Sequence, residues 1–175
     1  GPDKWGVQRF IAAHVIMLAL EGIPGIYIHS MLGTRNDYAR FENTQHNRHI
    51  NRHRWDLGEL EAQLGDAQST HAQVYNRLIA ILAIRRQQRA FHPNATQFTL
   101  QLGPHIFGIW RQSIDRRQSI FCLNNVSDQT VELSLIDINL IDSVTWIDLL
   151  TGQAIPDHQA TLSLPPYGSL WLSNA

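Results

Sequence analysis

The sequence predicts an α+β chain in two parts: the last β/α unit of a (β/α)8 TIM barrel over residues 1–92, then a C-terminal antiparallel β-sandwich over residues 93–175. Three observations carry this expectation. A long apolar helix runs directly into a short apolar stretch punctuated by glycine and proline, Gly22-Ile23-Pro24-Gly25-Ile26-Tyr27-Ile28-His29. A long loop rich in Arg, His and Asn follows, and then more helix; in barrels of this kind the loops after the strands carry the chemistry. From Thr96 onward the texture changes to short β-rich runs separated by turn signals.

Asp3 is placed to cap the first helix, and Val7, Phe10, Ile11, Val15 and Leu18 follow at helical spacing. Gly22 and Pro24 stop that helix, one by tolerating left-handed backbone, the other by lacking an amide hydrogen. Residues 23–28 then read as a short, fully buried parallel strand. Residues 30–55 show neither a helical nor a strand period, and a stretch of that length inside a compact domain is usually functional. Asp56 with Glu59 three residues on is a capping pattern that opens a short helix to Leu64. A longer helix starts at about Thr70, with Val74, Leu78, Ile81 and Leu82 on one face. Arg85, Arg86 and Arg89 sit at its end, where cations suit the negative pole of the helix dipole. His92-Pro93-Asn94 closes the helical part.

Strands are expected at 96–102, 105–112, 118–123, 129–136, 143–149, 160–164 and 168–173. Gly103-Pro104, Asp115-Arg116, Asn124-Asn125, Thr151-Gly152 and Pro165-Pro166 supply the turns. Val131, Leu133 and Leu135 alternate with Glu132 and Ser134, as in a sandwich strand with one buried face.

Composition narrows the function classes. Hydrophobic residues make up 43% and charged residues 17%, which suits a folded chain rather than a disordered one. A net charge of -1 gives no global field to recruit nucleic acid or an anionic membrane. No segment reaches the roughly 18 uninterrupted apolar residues of a membrane span. The lone Cys122 excludes an internal disulfide and a multi-cysteine metal site and fits a reducing compartment, so a cytoplasmic location is expected. No cofactor is expected.

The loop Thr44-Gln45-His46-Asn47-Arg48-His49-Ile50-Asn51-Arg52-His53 holds the best candidate site. A guanidinium presents several fixed donors suited to sugar hydroxyls or a phosphate, so Arg48 and Arg52 either hold substrate or pin the loop to backbone carbonyls. Asp37 reads as the partner of an arginine in the same loop rather than as a catalytic group. His46, His49 and His53 do not match a common zinc spacing, and no metal is expected. His14 reads as a satisfied buried histidine. Tyr27 and His29 point to alternate sides, with packing the expected role of Tyr27. Trp110, Trp146 and Trp171 are read as core rather than as a sugar platform. Arg35, Arg40, Arg48, Arg52 and Arg54 cluster, but Asp37, Glu42, Asp56 and Glu59 interrupt them and no nucleic-acid motif accompanies them.

Gly22-Ile23-Pro24-Gly25-Ile26-Tyr27 resembles the segment entering the eighth barrel strand of glycoside hydrolase family 13, the α-amylase superfamily. Gly33-Thr34-Arg35-Asn36-Asp37 with Arg48-His49-Ile50-Asn51-Arg52-His53 is similar to the sucrose phosphorylase branch, which also holds the sucrose 6-phosphate and glucosylglycerate phosphorylases. The ending Leu164-Pro165-Pro166-Tyr167-Gly168-Ser169-Leu170-Trp171-Leu172 resembles the C-terminal β-domain of those enzymes. Two positions depart from the branch: Asn47 where glycine is common, and His49 where an acidic residue is common.

The resemblance implies the C-terminal part of a retaining α-glucoside phosphorylase, in which a carboxylate attacks the anomeric carbon, a glutamate serves as acid then base, and phosphate receives the glucosyl unit. A hydrolase or transglucosylase of the same superfamily is the alternative, as is a noncatalytic carbohydrate-binding fragment. The family's three carboxylates lie on the fourth, fifth and seventh strands, expected upstream of Gly1, so no catalytic residue is assigned and this chain alone is expected to be inactive. The implied substrate-binding residues are Arg48, Asn51 and Arg52, with Arg48 holding the glucosyl unit. The implied partners are an α-glucoside and inorganic phosphate. Helix faces and strand edges normally covered by the rest of a barrel are an expected route to a homodimer.

Overall fold

A computed structural model describes residues 3–138, 140 and 145–174. The chain forms an α+β fold whose sheets are antiparallel throughout. It divides into two compact units, one of Gly1–Pro24 with Ile81–Ala175 and one of Gly25–Ala80. The change at residues 92–93, expected from the texture of the sequence, lies inside the first unit.

In the first unit, helix α1 (Gly6–Ala19) buries Ala12, Val15, Leu18 and Ala19. Asp3 stands before its first turn: one carboxylate oxygen accepts the Trp5 amide at 2.9 Å, and the group pairs with Arg9 at 3.0 Å. His14 is half-buried, with Nδ1 2.9 Å from the Phe10 carbonyl. The other end of α1 has carbonyls with no helical partner, and two arginines from distant positions satisfy them. Arg85 Nε donates to Leu18 O at 2.7 Å, and Arg111 Nη1 donates to Ala19 O at 2.8 Å.

The large sheet runs β1-β2-β3-β8-β5-β6 and the small one pairs β4 with β7. Their strands are β1 (Thr96–Gln101), β2 (Ile106–Gln112), β3 (Ser119–Asn125), β4 (Val131–Ser134), β5 (Trp146–Asp148), β6 (Ala154–Ile155), β7 (Thr161–Leu164) and β8 (Ser169–Asn174). Strand alternation sends Phe121, Leu123, Leu170, Leu172 and Trp146 into one cluster with Leu133 and Leu164 of the small sheet, which is the sandwich core. The opposite side of the large sheet carries Ile109, Arg111, Ile120, Cys122 and Trp171, all at most 1% exposed. Phe91 packs on Trp171 there, with ring centroids 4.6 Å apart. Trp146 and Trp171 are therefore core, as their sequence context suggested, while Trp110 stacks between Phe98 and Phe121.

Strand spans otherwise follow the alternation with end shifts. β4 stops at Ser134, where the chain turns into a 3-10 helix (Leu135–Ile138) that buries Leu135 and Ile138. Positions 143 and 144 of the expected fifth strand lie outside the described residues, and β6 was not anticipated.

In the second unit, α2 (Ile28–Met31), α3 (Tyr38–Thr44), a 3-10 turn (Asn47–His49), α4 (Leu57–Gly65) and α5 (Thr70–Arg85) follow one another; α5 runs on into the residues of the first unit. Asp56 caps α4 as its spacing predicts, accepting the Glu59 amide at 3.1 Å. Val74 and Leu78 of α5 are buried. Gly33, at φ +60°, lets the chain pass α5 closely: a Cβ there would lie 3.2 Å from Val74 Cβ and Cγ2.

One expectation fails here. Residues 23–28 are not a strand: Ile23 is 86% exposed, and Ile28 opens α2. A central parallel strand exists through ladders to neighbours on both sides, and among the described residues nothing pairs with this segment. The aperiodic stretch 30–55 is also more ordered than its composition suggests, because α3 and the 3-10 turn form within it.

Candidate anion-binding groove

The arginine loop of the second unit is built on α3. Asp37 is the N-cap of that helix, and its Oδ1 accepts the Arg40 amide at 3.0 Å. Its Oδ2 lies 3.0 Å from His53 Nδ1, and its own amide donates to Ile50 O at 2.7 Å. The partner of Asp37 is therefore a histidine and a backbone amide, not the arginine side chain that the sequence suggested. The Arg40 amide, then His53, hold the Asp37 carboxyl below the ordinary carboxylate range.

The Arg40 guanidinium donates to Arg52 O. Thr44 Oγ1 donates to Arg40 O at 2.7 Å, which leaves its oxygen to accept from His49 Nδ1 at 2.6 Å. At the far end of the loop the Trp55 ring stands edge-to-face between His53 and His71, each centroid 4.9 Å away. Trp55 Nε1 donates to Thr34 Oγ1 at 3.0 Å, and His29 Nδ1 lies 3.3 Å from the same oxygen.

These tethers surround an open groove of about 810 Å³ lined by Tyr27, His29, Arg40, His46, Asn47, Arg48, His49, Arg52 and Arg54. Four arginines and three histidines line it and, among the described residues, no carboxylate does. Among the described residues the ion pairs are Arg9–Asp3, His53–Asp37 and Arg89–Asp115, so no groove arginine is neutralised by one. The local field is visible in His49. Partial burial first, then Arg40, His46, Arg54 and Arg52, push its imidazole below the ordinary histidine value. His29 is lowered as well, by burial and then by His53.

Of the residues expected to bind substrate, Arg48 and Arg52 both line the groove. Asn51 is exposed and is not among its lining residues. Arg40 and Arg54 join the first two, although in the sequence they read only as part of an interrupted basic cluster. Tyr27 also lines the groove, so its role is not confined to packing. His46 and His49 stack edge-to-face at 5.4 Å, and among the described residues no group of three His, Cys, Asp or Glu side chains is gathered for a metal. No helix among the described residues is long and apolar enough to cross a membrane.

Comparison with known proteins places this arrangement. No family model matches the chain. Over 166 residues it is 38% identical to a glucosylglycerate phosphorylase of Allomeiothermus silvanus, covering 95% of this chain and 27% of the relative. A glucosylglycerate phosphorylase of Spirochaeta thermophila is 32% identical over 174 residues, 95% of this chain and 30% of the relative. The chain thus spans less than a third of the length of the curated relatives it matches. Among solved structures, an Anoxybacillus α-amylase superposes with a TM-score of 0.72 at 13% identity, over 97% of this chain and 32% of that one, which is a likeness of fold. These matches make the chain similar, over nearly its whole length, to less than a third of two glucosylglycerate phosphorylases, with the fold of the corresponding part of an α-amylase.

Proposed function

We propose that this chain is the end of the barrel (residues 1–92) and the C-terminal β-domain (residues 93–175) of a retaining α-glucoside phosphorylase. The whole protein transfers a glucosyl unit from glucosylglycerate, sucrose or a related glucoside to phosphate. The observation that carries this reading is the groove itself. Four arginines line one opening, and among the described residues none of them is in an ion pair, so their like charges favour the entry of an anion. His49 stands where an acidic residue is common in the branch, so position 49 adds no negative charge to the groove lining.

In this reading Arg48 holds the glucosyl unit or the incoming phosphate, Arg52 shares that anion, and Asn51 orients the loop between them. Arg40 and Arg54 widen the positive field. The carboxylates of the double displacement come from elsewhere in the whole protein.

The test is phosphate dependence of the intact protein. With glucosylglycerate or sucrose supplied, release of glucose 1-phosphate that requires inorganic phosphate supports the proposal. Arg48→Ala is expected to lower kcat/KM by about 100-fold or more, the scale for losing a positioning contact to a reacting group. Glucose release at the same rate without phosphate would make the protein a hydrolase and overturn the proposal.

A further inference from the structure

Asp37 and His53 do not line the groove, yet the tethers at positions 49, 50, 52 and 53 of the arginine loop lead back to Asp37 or to the helix it caps. Both Asp37 carboxylate oxygens are used, one on the Arg40 amide at 3.0 Å and one on His53 Nδ1 at 3.0 Å. The Asp37 amide holds Ile50 O at 2.7 Å, and the Arg40 guanidinium holds Arg52 O. Positions 50, 52 and 53 are therefore all fastened to the first turn of α3, while Arg48 and Arg52 line the groove. Behind His53 the Trp55 ring closes the other side at 4.9 Å and is itself anchored to Thr34. The His53 side chain is 32% exposed and that of Asp37 is 18% exposed. The pair is thus half-sheltered from competing water, as a lasting hydrogen bond needs.

We propose that the Asp37–His53 pair is the positioning latch of the arginine loop, setting where Arg48 and Arg52 present their guanidinium groups. This rests on reading the groove as an anion site of a phosphorylase. Asp37 and His53 touch neither sugar nor phosphate; they act through the loop backbone. The pair joins positions 16 residues apart and fixes the His53 end of the loop, so releasing it leaves that end held through Ile50 O and Arg52 O alone and loosens the stretch that carries Arg48 and Arg52. Arginines presented on a loop that samples many positions offer an anion fewer simultaneous donors, and affinity falls accordingly.

The experiment uses the 175-residue chain, inorganic phosphate as the probe, and the variants His53→Ala, Asp37→Asn and His53→Asn. The last keeps a side-chain N–H close to the position of Nδ1. Two quantities are read: phosphate affinity by titration, with the Arg48 and Arg52 side-chain signals followed by NMR, and amide exchange over residues 46–54. His53→Ala and Asp37→Asn are expected to weaken phosphate binding by about tenfold or more and to speed exchange by a similar factor, a tenfold change being about 1.4 kcal/mol. His53→Asn is expected to recover both to within about threefold. Faster exchange with unchanged phosphate affinity makes the pair a merely structural contact and overturns the proposal. Unchanged exchange in His53→Ala overturns it as well. A wild-type chain that binds no phosphate is a different result: it refutes the reading of the groove, and with it any positioning role for the pair.

Discussion

Arg111→Met isolates the contact that holds the first unit together. Arg111 is 0% exposed, and its guanidinium donates to Ala19 O at 2.8 Å, His92 O at 3.0 Å and Ala95 O at 3.4 Å. It also stands over the Phe91 ring, 6.0 Å from the centroid. Methionine replaces the aliphatic stem and supplies no donor, so the carbonyl groups of Ala19 and His92 lose their partner. A hydrogen bond from a charged donor contributes about 1.5–3 kcal/mol, so the two shorter bonds together contribute about 3–6 kcal/mol. Some of this returns, because a guanidinium no longer has to be desolvated. The net expectation is a loss of about 2–4 kcal/mol, or roughly 4–16 °C in Tm for a chain of this length. Arg111→Lys keeps the charge but reaches fewer carbonyls, and is expected to fall between the two. Urea unfolding followed by tryptophan fluorescence measures it, since Trp171 sits against Phe91. A Met variant within about 0.5 kcal/mol of wild type, the range of an ordinary surface change, would refute the idea that these carbonyls depend on Arg111.

Three further outcomes are expected. Asp56→Ala removes the acceptor of the Glu59 amide and should cost about 1 kcal/mol by calorimetry, with Asp56→Asn close to neutral. Acid should loosen the arginine loop in two stages. His29 and Asp37 both have folded-state pKa values lowered from the ordinary ones, so each stabilises the fold fully above its unfolded pKa. That contribution is lost as pH falls through the lowered value: below about pH 6.5 for His29 and below about pH 4 for Asp37. Amide exchange over residues 28–55 between pH 3 and 8, corrected for intrinsic rates, reports this, and greater protection at pH 4 than at pH 7 contradicts it. Finally, the purified chain should release no sugar from sucrose or glucosylglycerate, since among the described residues no carboxylate lines the groove and a retaining mechanism needs two. Turnover retained in Arg48→Ala but lost on mutating a carboxylate of this chain would locate the chemistry elsewhere in it.

Legibility tracked the range of the interaction that forms each element. Asp56 and Glu59 are three residues apart, so their cap could be read directly and is present at 3.1 Å. The alternation in β4 was readable for the same reason. The partner of Asp37 was misread because it lies 16 residues away, beyond a loop whose path has no period. Arg85 was read as a local dipole partner, yet its Nε holds Leu18 O, 67 residues away. Arg48 and Arg52 were found through a motif, whereas Arg40 and Arg54 became part of the groove only once α3 turned the chain back on itself.

By itself, the sequence determined the alternating strands and their turns, the capped helix α4 and the apolar face of α5, the buried tryptophans, and a resemblance to a phosphorylase branch. These depend on side-chain period, backbone preference and local hydrogen bonds, all of which act within a few residues. Tertiary structure alone decided that residues 23–27 stay irregular, that Arg85 and Arg111 close the end of α1, and that four arginines share one opening without a carboxylate among the described residues. Each of those depends on groups far apart in the chain. A parallel strand needs neighbours before it is a strand, a helix carbonyl accepts whichever donor the fold delivers, and a field of charges exists only after the loop that carries them is pinned.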